Sequence, residues 1–184
     1  MRVLDLGCGE GPPLTHHRIG ADDVVFGVDV DEKRIEKAKS KWPDRHYSVG
    51  NGEHLEQFAD NEFDLIICNV ALPYMDIPTA LSEIRRILKP NGKAWFSLHS
   101  LGFTVGELRR HFPRPVPTAY AMYVLGNGLF FHCTGKTARL GTRCESFQTK
   151  TGIVKALSRA GFENLRFSFP ENRFIVEALK RNQA

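Results

Sequence analysis

Very little in this chain is suited to holding a metal, a disulfide or a membrane. Cysteine occurs four times, at Cys8, Cys68, Cys133 and Cys144, with no CxxC pair and no zinc spacing. Reduced thiols in a cytoplasmic protein are the expectation. Cys8, inside a glycine turn, is read as a small neutral filler. No His/Asp/Glu spacing supports a metal site. No apolar run approaches the roughly 18 residues a membrane helix needs, and Met1-Arg2 leads directly into Val3-Leu4-Asp5 without an apolar signal region. Repeats and low-complexity tracts are missing as well. So is a large excess of one charge: the net charge is +4, and with no RNA-binding module visible in it a nucleic-acid partner is not expected.

That small charge is unevenly spread. Between Ser100 and Ser146, six bases (Arg109, Arg110, Arg114, Lys136, Arg139, Arg143) face two acids (Glu107, Glu145), so this stretch carries the whole excess. It is read either as a solvated basic surface or as a face that attracts an anionic substrate.

What is present is a regular alternation of strand and helix patterns, which predicts a parallel α/β sheet. Strands are expected over Arg2–Leu6, Val24–Asp29, His46–Val49, Phe63–Asn69 and Lys93–His99. Asp31 is expected to cap a helix that ends before Pro43, with Ile35, Ala38 and Trp42 on its apolar side. Asp76 is expected to cap another, with Ile77, Ala80, Leu81, Ile84, Ile87 and Leu88 on one face. Pro90-Asn91-Gly92 reads as a tight turn. Residues 100–146 break the rhythm. Pro113, Pro115, Pro117 and the cluster Gly126-Asn127-Gly128 leave helices expected only near Val105–Phe112 and Thr118–Leu125. A long ordered insertion of this kind reads as a lid within a single domain of residues 1–184. Thr149 or Thr151 then caps a last helix, stopped by Gly161. Glu163–Phe169 and Arg173–Leu179 read as closing strands joined at Pro170-Glu171-Asn172.

The richest stretch is Val3-Leu4-Asp5-Leu6-Gly7-Cys8-Gly9-Glu10-Gly11, a buried strand running into a glycine turn. Gly7 permits the turn, Gly9 bares backbone for a ligand and Gly11 allows the following helix, with His16 and His17 on its surface, to pack closely. Amide N–H groups there favour an anionic end. Asp5 can accept from an ammonium, and Asp29, closing the second strand, can accept both hydroxyls of a ribose. A dinucleotide site calls for GxGxxG; here the third glycine comes one residue too soon, and Asp5 is an awkward neighbour for a pyrophosphate. S-adenosylmethionine fits better, with its carboxylate on the turn and its ammonium at Asp5.

With these residues in view, the chain resembles a class I S-adenosylmethionine-dependent methyltransferase of the small-molecule branch that includes quinone-biosynthesis enzymes (methyltransferase type 11). The matching residues are Val3–Gly11, Gly27-Val28-Asp29, Gly50–Leu55, Phe63–Asn69, Arg85–Lys93 and Leu157–Phe162. The resemblance implies a Rossmann-like, doubly wound seven-stranded sheet of order 3-2-1-4-5-7-6 with strand seven antiparallel. It implies adenine beside Val30 and the Asn51–Glu53 turn, and methionine beside Gly7–Gly9 and Asn69. The candidate cofactor-binding residues are therefore Asp5, Gly7, Cys8, Gly9 and Gly11, then Asp29 and Val30, then Asn51, Gly52 and Glu53, and finally Asn69 and Val70. Asn51 stands where relatives usually carry Asp; its side-chain oxygen is still an acceptor. Relatives also carry a helix or more before strand one, so the cover is expected from a preceding segment, from residues 100–146, or from a partner subunit such as a second copy in a homodimer.

Methyl transfer is an in-line displacement that needs alignment and exclusion of water more than acid–base chemistry. Candidate catalytic residues lie after strands four and five. Tyr74 is read either as lining the acceptor pocket or as a packing residue, and His99 either as a base or as a hydrogen-bonded structural histidine. Val70-Ala71-Leu72 separate Asn69 from Pro73-Tyr74, so the Asn-Pro-Pro-Tyr signature of amino-group methyltransferases is missing. Tyr120, Tyr123, Phe130, Phe131 and His132, flanked by bases, suit a small-molecule acceptor that is aromatic or anionic. The alternatives are an RNA methyltransferase and a non-catalytic S-adenosylmethionine-binding subunit.

Overall fold

β1 (Arg2–Leu6) and β2 (Val24–Asp29) form where the two short apolar runs predict them. The computed structural model describes residues 1–11, 14, 19–20, 22–169 and 174–182. The helix expected after Gly11, with His16 and His17, and the Pro170-Glu171-Asn172 turn lie outside the described residues. α1 (Glu32–Lys41) starts at Asp31, whose carboxylate accepts the Arg34 N–H, and ends with Lys39 and Lys41 favourably placed at its C-terminal dipole. β3 (His46–Val49) and β4 (Phe63–Asn69) follow. A single 3-10 turn, Leu72–Tyr74, leads to α2 (Ile77–Ile87), capped by Asp76. Then come β5 (Leu88–Leu98), α3 (Leu101–His111), α4 (Pro115–Thr134), α5 (Lys150–Arg159), β6 (Phe162–Ser168) and β7 (Phe174–Lys180). Thr149, not Thr151, caps α5.

The seven strands make one sheet of order β3-β2-β1-β4-β5-β7-β6, with β7 antiparallel to both neighbours. Side chains alternate across it. Leu4, Leu6, Ile66, Cys68 and Phe96 join α2 and α5 in the larger core, while Val3, Val25, Leu65, Ile67 and Trp95 form the core of the opposite face. Burial on both faces is why β4 reads as a continuous apolar run. The parallel strands all end at one edge, and the site lies there. No described helix is long and apolar enough to cross a membrane.

Three expectations need correction. Pro90-Asn91-Gly92 does not precede a separate strand: β5 is continuous from Leu88, with Asn91 at φ +60° and a register shift opposite Phe63 and Leu65. α3 starts at Leu101, four residues early, because the Ser100 hydroxyl accepts the Phe103 N–H at 3.2 Å. α4 runs straight through Gly126-Asn127-Gly128 to Thr134. Tertiary contacts decide this. The Asn127 side chain turns inward, donating to the carbonyls of Cys144 (3.0 Å) and Glu145 (2.9 Å) and accepting the Ala138 N–H at 2.7 Å. Gly128 leaves room for buried Phe147, whose Cδ1 a Cβ there would approach to 2.1 Å.

The two glycines of α4 thus differ. Nothing lies within 4 Å of a Cβ built at Gly126. Gly126→Ala is expected to stabilise by about 0.5–1 kcal/mol through helix propensity. Gly128→Ala is expected to destabilise by about 1–3 kcal/mol, because overpacking outweighs the same gain. Urea unfolding of the two variants beside the parent checks the opposite signs.

Candidate active site

At the end of β1 the chain turns under the end of β2. The N–H groups of Gly7 and Cys8 both donate to the Val28 carbonyl, at 2.7 and 3.0 Å. Gly7 has φ +75°, and a Cβ there would meet the Ala71 Cβ at 2.2 Å, so only glycine lets β1 approach the segment after β4. A Cβ at Gly9, at φ +56°, would make only ordinary contact among the described residues, with Arg34 Nη1 at 3.8 Å. Gly11 backs onto Tyr47 and Trp42. The Asp29 carboxylate clamps the turn: one oxygen accepts the Gly9 N–H at 2.8 Å, the other the Asp31 N–H at 3.0 Å. That leaves lone pairs on both oxygens for further donors.

Asp5 is 4% exposed and makes no hydrogen bond or ion pair with a described residue. Burial pushes its carboxyl up to about 7, against the pull of Arg45 and with a push from Asp29. Such a carboxyl is short of a cation, as a site for an ammonium should be. The Cys8 thiol is pushed up to about 12, first by burial and then by Asp5, so it is neutral. Val30 is 69% exposed just after β2, an apolar surface the core does not use. In the next turn the Asn51 side-chain oxygen accepts the Glu53 N–H at 3.0 Å, so one of its lone pairs is already engaged. Gly52 packs on Met75. Glu53 accepts the Asp76 N–H at 3.0 Å and an Arg139 N–H at 2.7 Å, joining this turn to the insertion. After β4, Asn69 is exposed, and Val70 has φ +60°, a strained conformation for a β-branched residue. Its N–H is held by the Ser97 carbonyl at 3.0 Å. A Gly9 turn with room for a Cβ, a buried Asp5 with no hydrogen-bond partner among the described residues and an exposed Val30 fit a nucleoside carrying an amino-acid tail.

Beyond this edge lies a cavity of about 240 Å³ between α3 and α4. Tyr74, Phe103, Tyr120, Pro117, Ala121 and Val124 give it an apolar and aromatic wall; Thr104, Glu107, His111 and Glu145 are its polar groups. Tyr74, one of the two candidate catalytic residues, lies in this wall. His99 is not among the lining residues. Its ring is buried against Phe103 and Tyr74, with centroids 4.5 and 5.2 Å away, and burial lowers its pKa to about 4. A pKa this low makes the neutral imidazole a weak proton acceptor, and the ring stands behind the cavity wall.

Of the aromatic residues and histidine expected to face an acceptor (Tyr120, Tyr123, Phe130, Phe131 and His132), Tyr120 lines the cavity, and Phe103 joins it there. Tyr123 bonds the carbonyls of Ala138 and Arg143, Phe131 belongs to the core, and His132 meets Thr149. The bases do not line it either: Arg139 pairs with Glu53, Arg143 lies over the Tyr120 ring, and Arg109, Arg110 and Arg114 are exposed elsewhere. Sequence reasoning missed Glu107 and Glu145, since a glutamate beside arginines reads as solvated. The Glu145 carboxylate accepts the Tyr120 hydroxyl at 2.5 Å and lies 3.8 Å from His99 Nδ1.

A family model described as a methyltransferase domain matches residues 4–96. A 2-phytyl-1,4-naphtoquinone methyltransferase of Trichormus variabilis is 38% identical over 99 residues, 50% of this chain and 43% of that protein. The chain thus spans less than half the length of that relative. A demethylmenaquinone methyltransferase of Leptospira interrogans is 33% identical across 98% of this chain and 75% of its own. Among solved structures, an S-adenosylmethionine-dependent methyltransferase of Methanosarcina mazei superposes with a TM-score of 0.68 at 18% identity, covering 99% of this chain and 93% of that one. At that identity the likeness is one of fold.

The burial of His99 has a measurable consequence. Its folded pKa, about 4, lies below the ordinary 6.5. The unfolded chain therefore binds the extra proton first, and the stability His99 contributes is present above about pH 6.5 and lost as pH falls toward 4. Imidazole NMR is expected to show no titration of His99 between pH 5 and 8.

Proposed function

Since the chain belongs to the class I S-adenosylmethionine-dependent methyltransferase domains, we propose that it transfers the methyl group of S-adenosylmethionine, leaving S-adenosylhomocysteine, to a small acceptor with an apolar aromatic ring, in the cytoplasm. One observation carries this reading: the lone buried carboxyl of Asp5 and the open Gly9 turn lie at the same sheet edge as a cavity walled by Tyr74, Phe103 and Tyr120. S-adenosylmethionine supplies an electrophilic methyl on a good leaving group. Asp5 accepts from its ammonium, and the Gly7, Cys8 and Gly9 backbone, backed by Gly11, receives its methionine end beside Asn69 and Val70. Asp29 accepts from the ribose hydroxyls, and Val30 with Asn51, Gly52 and Glu53 flanks the adenine. Residues 100–146 act as a lid-like part of a single domain, fastened through Arg139 to Glu53.

The names of the two curated relatives point to quinone rings as acceptors, and a flat ring suits an aromatic wall. Two half-buried glutamates in the lining argue against an anionic acceptor and against RNA. Where the attacking atom carries a proton, Glu145 is the group to take it. It lines the cavity, and its carboxylate already accepts the Tyr120 hydroxyl, whose pKa burial and Glu145 raise.

Two measurements test this. Asp5 titrates near 7 in the free protein and ionises beside an ammonium, so affinity for S-adenosylhomocysteine is expected to rise about tenfold from pH 6 to pH 8. Asp5→Asn removes that slope in isothermal titration; a flat profile for the parent means the ammonium is held elsewhere. In an assay of labelled methyl transfer to small phenols and quinols, the parent is expected to label them. Glu145→Gln is expected to slow labelling about 100-fold with cofactor affinity unchanged. No labelled product from any ring acceptor defeats the proposal.

A further inference from the structure

α4 is unusual for a helix with an exposed side. None of its twenty residues, Pro115–Thr134, is Asp, Glu, Lys or Arg. Its inner face packs through Ala121, Val124 and Phe131, yet Val116, Met122 and Leu129 on the outer side are exposed. A helix apolar on all sides ordinarily has an apolar medium around it. The turn that enters α4 extends this surface. Val116 and Phe112, at 78% and 70% exposure, are the two most exposed large apolar side chains among the described residues. Around them, Arg109, Arg110 and Arg114 are all exposed. Glu107 is the only acid between residues 101 and 134, and its carboxylate is taken up by Arg110 and His111. Apolar side chains that reach into solvent inside a ring of arginines match the boundary of a lipid layer with anionic headgroups.

We propose that the α3–α4 tip docks on an anionic bilayer surface, with Phe112 and Val116 entering the acyl boundary and Arg109, Arg110 and Arg114 meeting phosphate headgroups. The charge favours lipid over a second copy of the chain, which would bring the same positive segment to the contact. The cavity gives the docking a use. Its lining runs from Tyr74 and Glu145 to His111 and Pro117, the residues on either side of the tip, so a lipid-soluble molecule has a short path from the bilayer to the sheet edge. The docking surface stands apart from the methyl-transfer reading and is measured without cofactor or acceptor.

The test is co-sedimentation of the whole chain with sucrose-loaded vesicles, of phosphatidylcholine alone or with about one-third phosphatidylglycerol. Binding is expected to be at least tenfold stronger on the anionic vesicles and to fall as salt is raised. Phe112→Ser with Val116→Ser is expected to lower it at least tenfold at every salt concentration. Arg109→Gln, Arg110→Gln and Arg114→Gln together are expected to abolish the preference for anionic vesicles and the salt dependence. All five side chains are exposed, and circular dichroism verifies that the variants fold. Equal binding to both vesicle types, or variants that sediment like the parent, overturns the proposal. So does a dimer in analytical ultracentrifugation that the Phe112/Val116 pair dissolves while vesicle binding is negligible, because a second copy is then the occupant of this surface.

Discussion

Both oxygens of the Asp29 carboxylate accept a backbone N–H, from Gly9 at 2.8 Å and from Asp31 at 3.0 Å. One side chain thereby fixes the glycine turn after β1 relative to the entry of α1. The Val28 carbonyl, one residue earlier, holds Gly7 and Cys8 in the same turn. The glycine turn, Val30 and the start of α1 are all referred to this junction. Gly9 faces outward because its N–H is held from behind, and Val30 is exposed because the chain leaves β2 toward the Asp31 cap. Charge-assisted bonds of this kind are the stronger ones, and partial burial limits competition from water. A site that must align two reacting molecules depends on such fixed backbone more than on acid–base groups.

The second fixed point is in the insertion. Asn127 gathers the carbonyls of Ala138, Cys144 and Glu145 around one amide, and Phe147 fills the gap left by Gly128. Thr137 and Arg139 then tie the following loop to Asp76 and Glu53. Glu145 reaches the cavity because its backbone is held by Asn127, and Tyr120 reaches it one face further along the same helix.

The strands and helices were legible in the sequence because strands buried on both faces read as apolar runs and the caps of the helices between them, Asp31 and Asp76, are local signals; the order of the strands came from the family resemblance. The glycine turn and Asp29 were legible for the same reason, since a bare turn and a strand-end carboxylate are written in consecutive residues. α4 was not. Gly126-Asn127-Gly128 has the composition of a break, and its helical state rests on Phe147 and on three carbonyls from a later loop. The choice between the two readings of His99 was not legible either. The sequence puts it at the right edge, but only packing against Tyr74 and Phe103 decides that it is neutral and withdrawn from the cavity. Glu107 and Glu145 carry no local mark that separates them from solvated glutamates.

Once folded, residues 100–146 sort their charges by sign. All six bases are exposed, while both acids are half-buried at the cavity. Half-burying a carboxylate is unfavourable unless something donates to it. Each acid has its own donor: Arg110 and His111 for Glu107, the Tyr120 hydroxyl for Glu145. The segment thus presents positive charge and bare apolar surface outward and acceptor oxygens inward. A cover that merely shielded the sheet edge needs neither arrangement. The proposed lipid boundary outside and the proposed ring acceptor inside would account for both, through α3, α4 and the loop that carries Glu145.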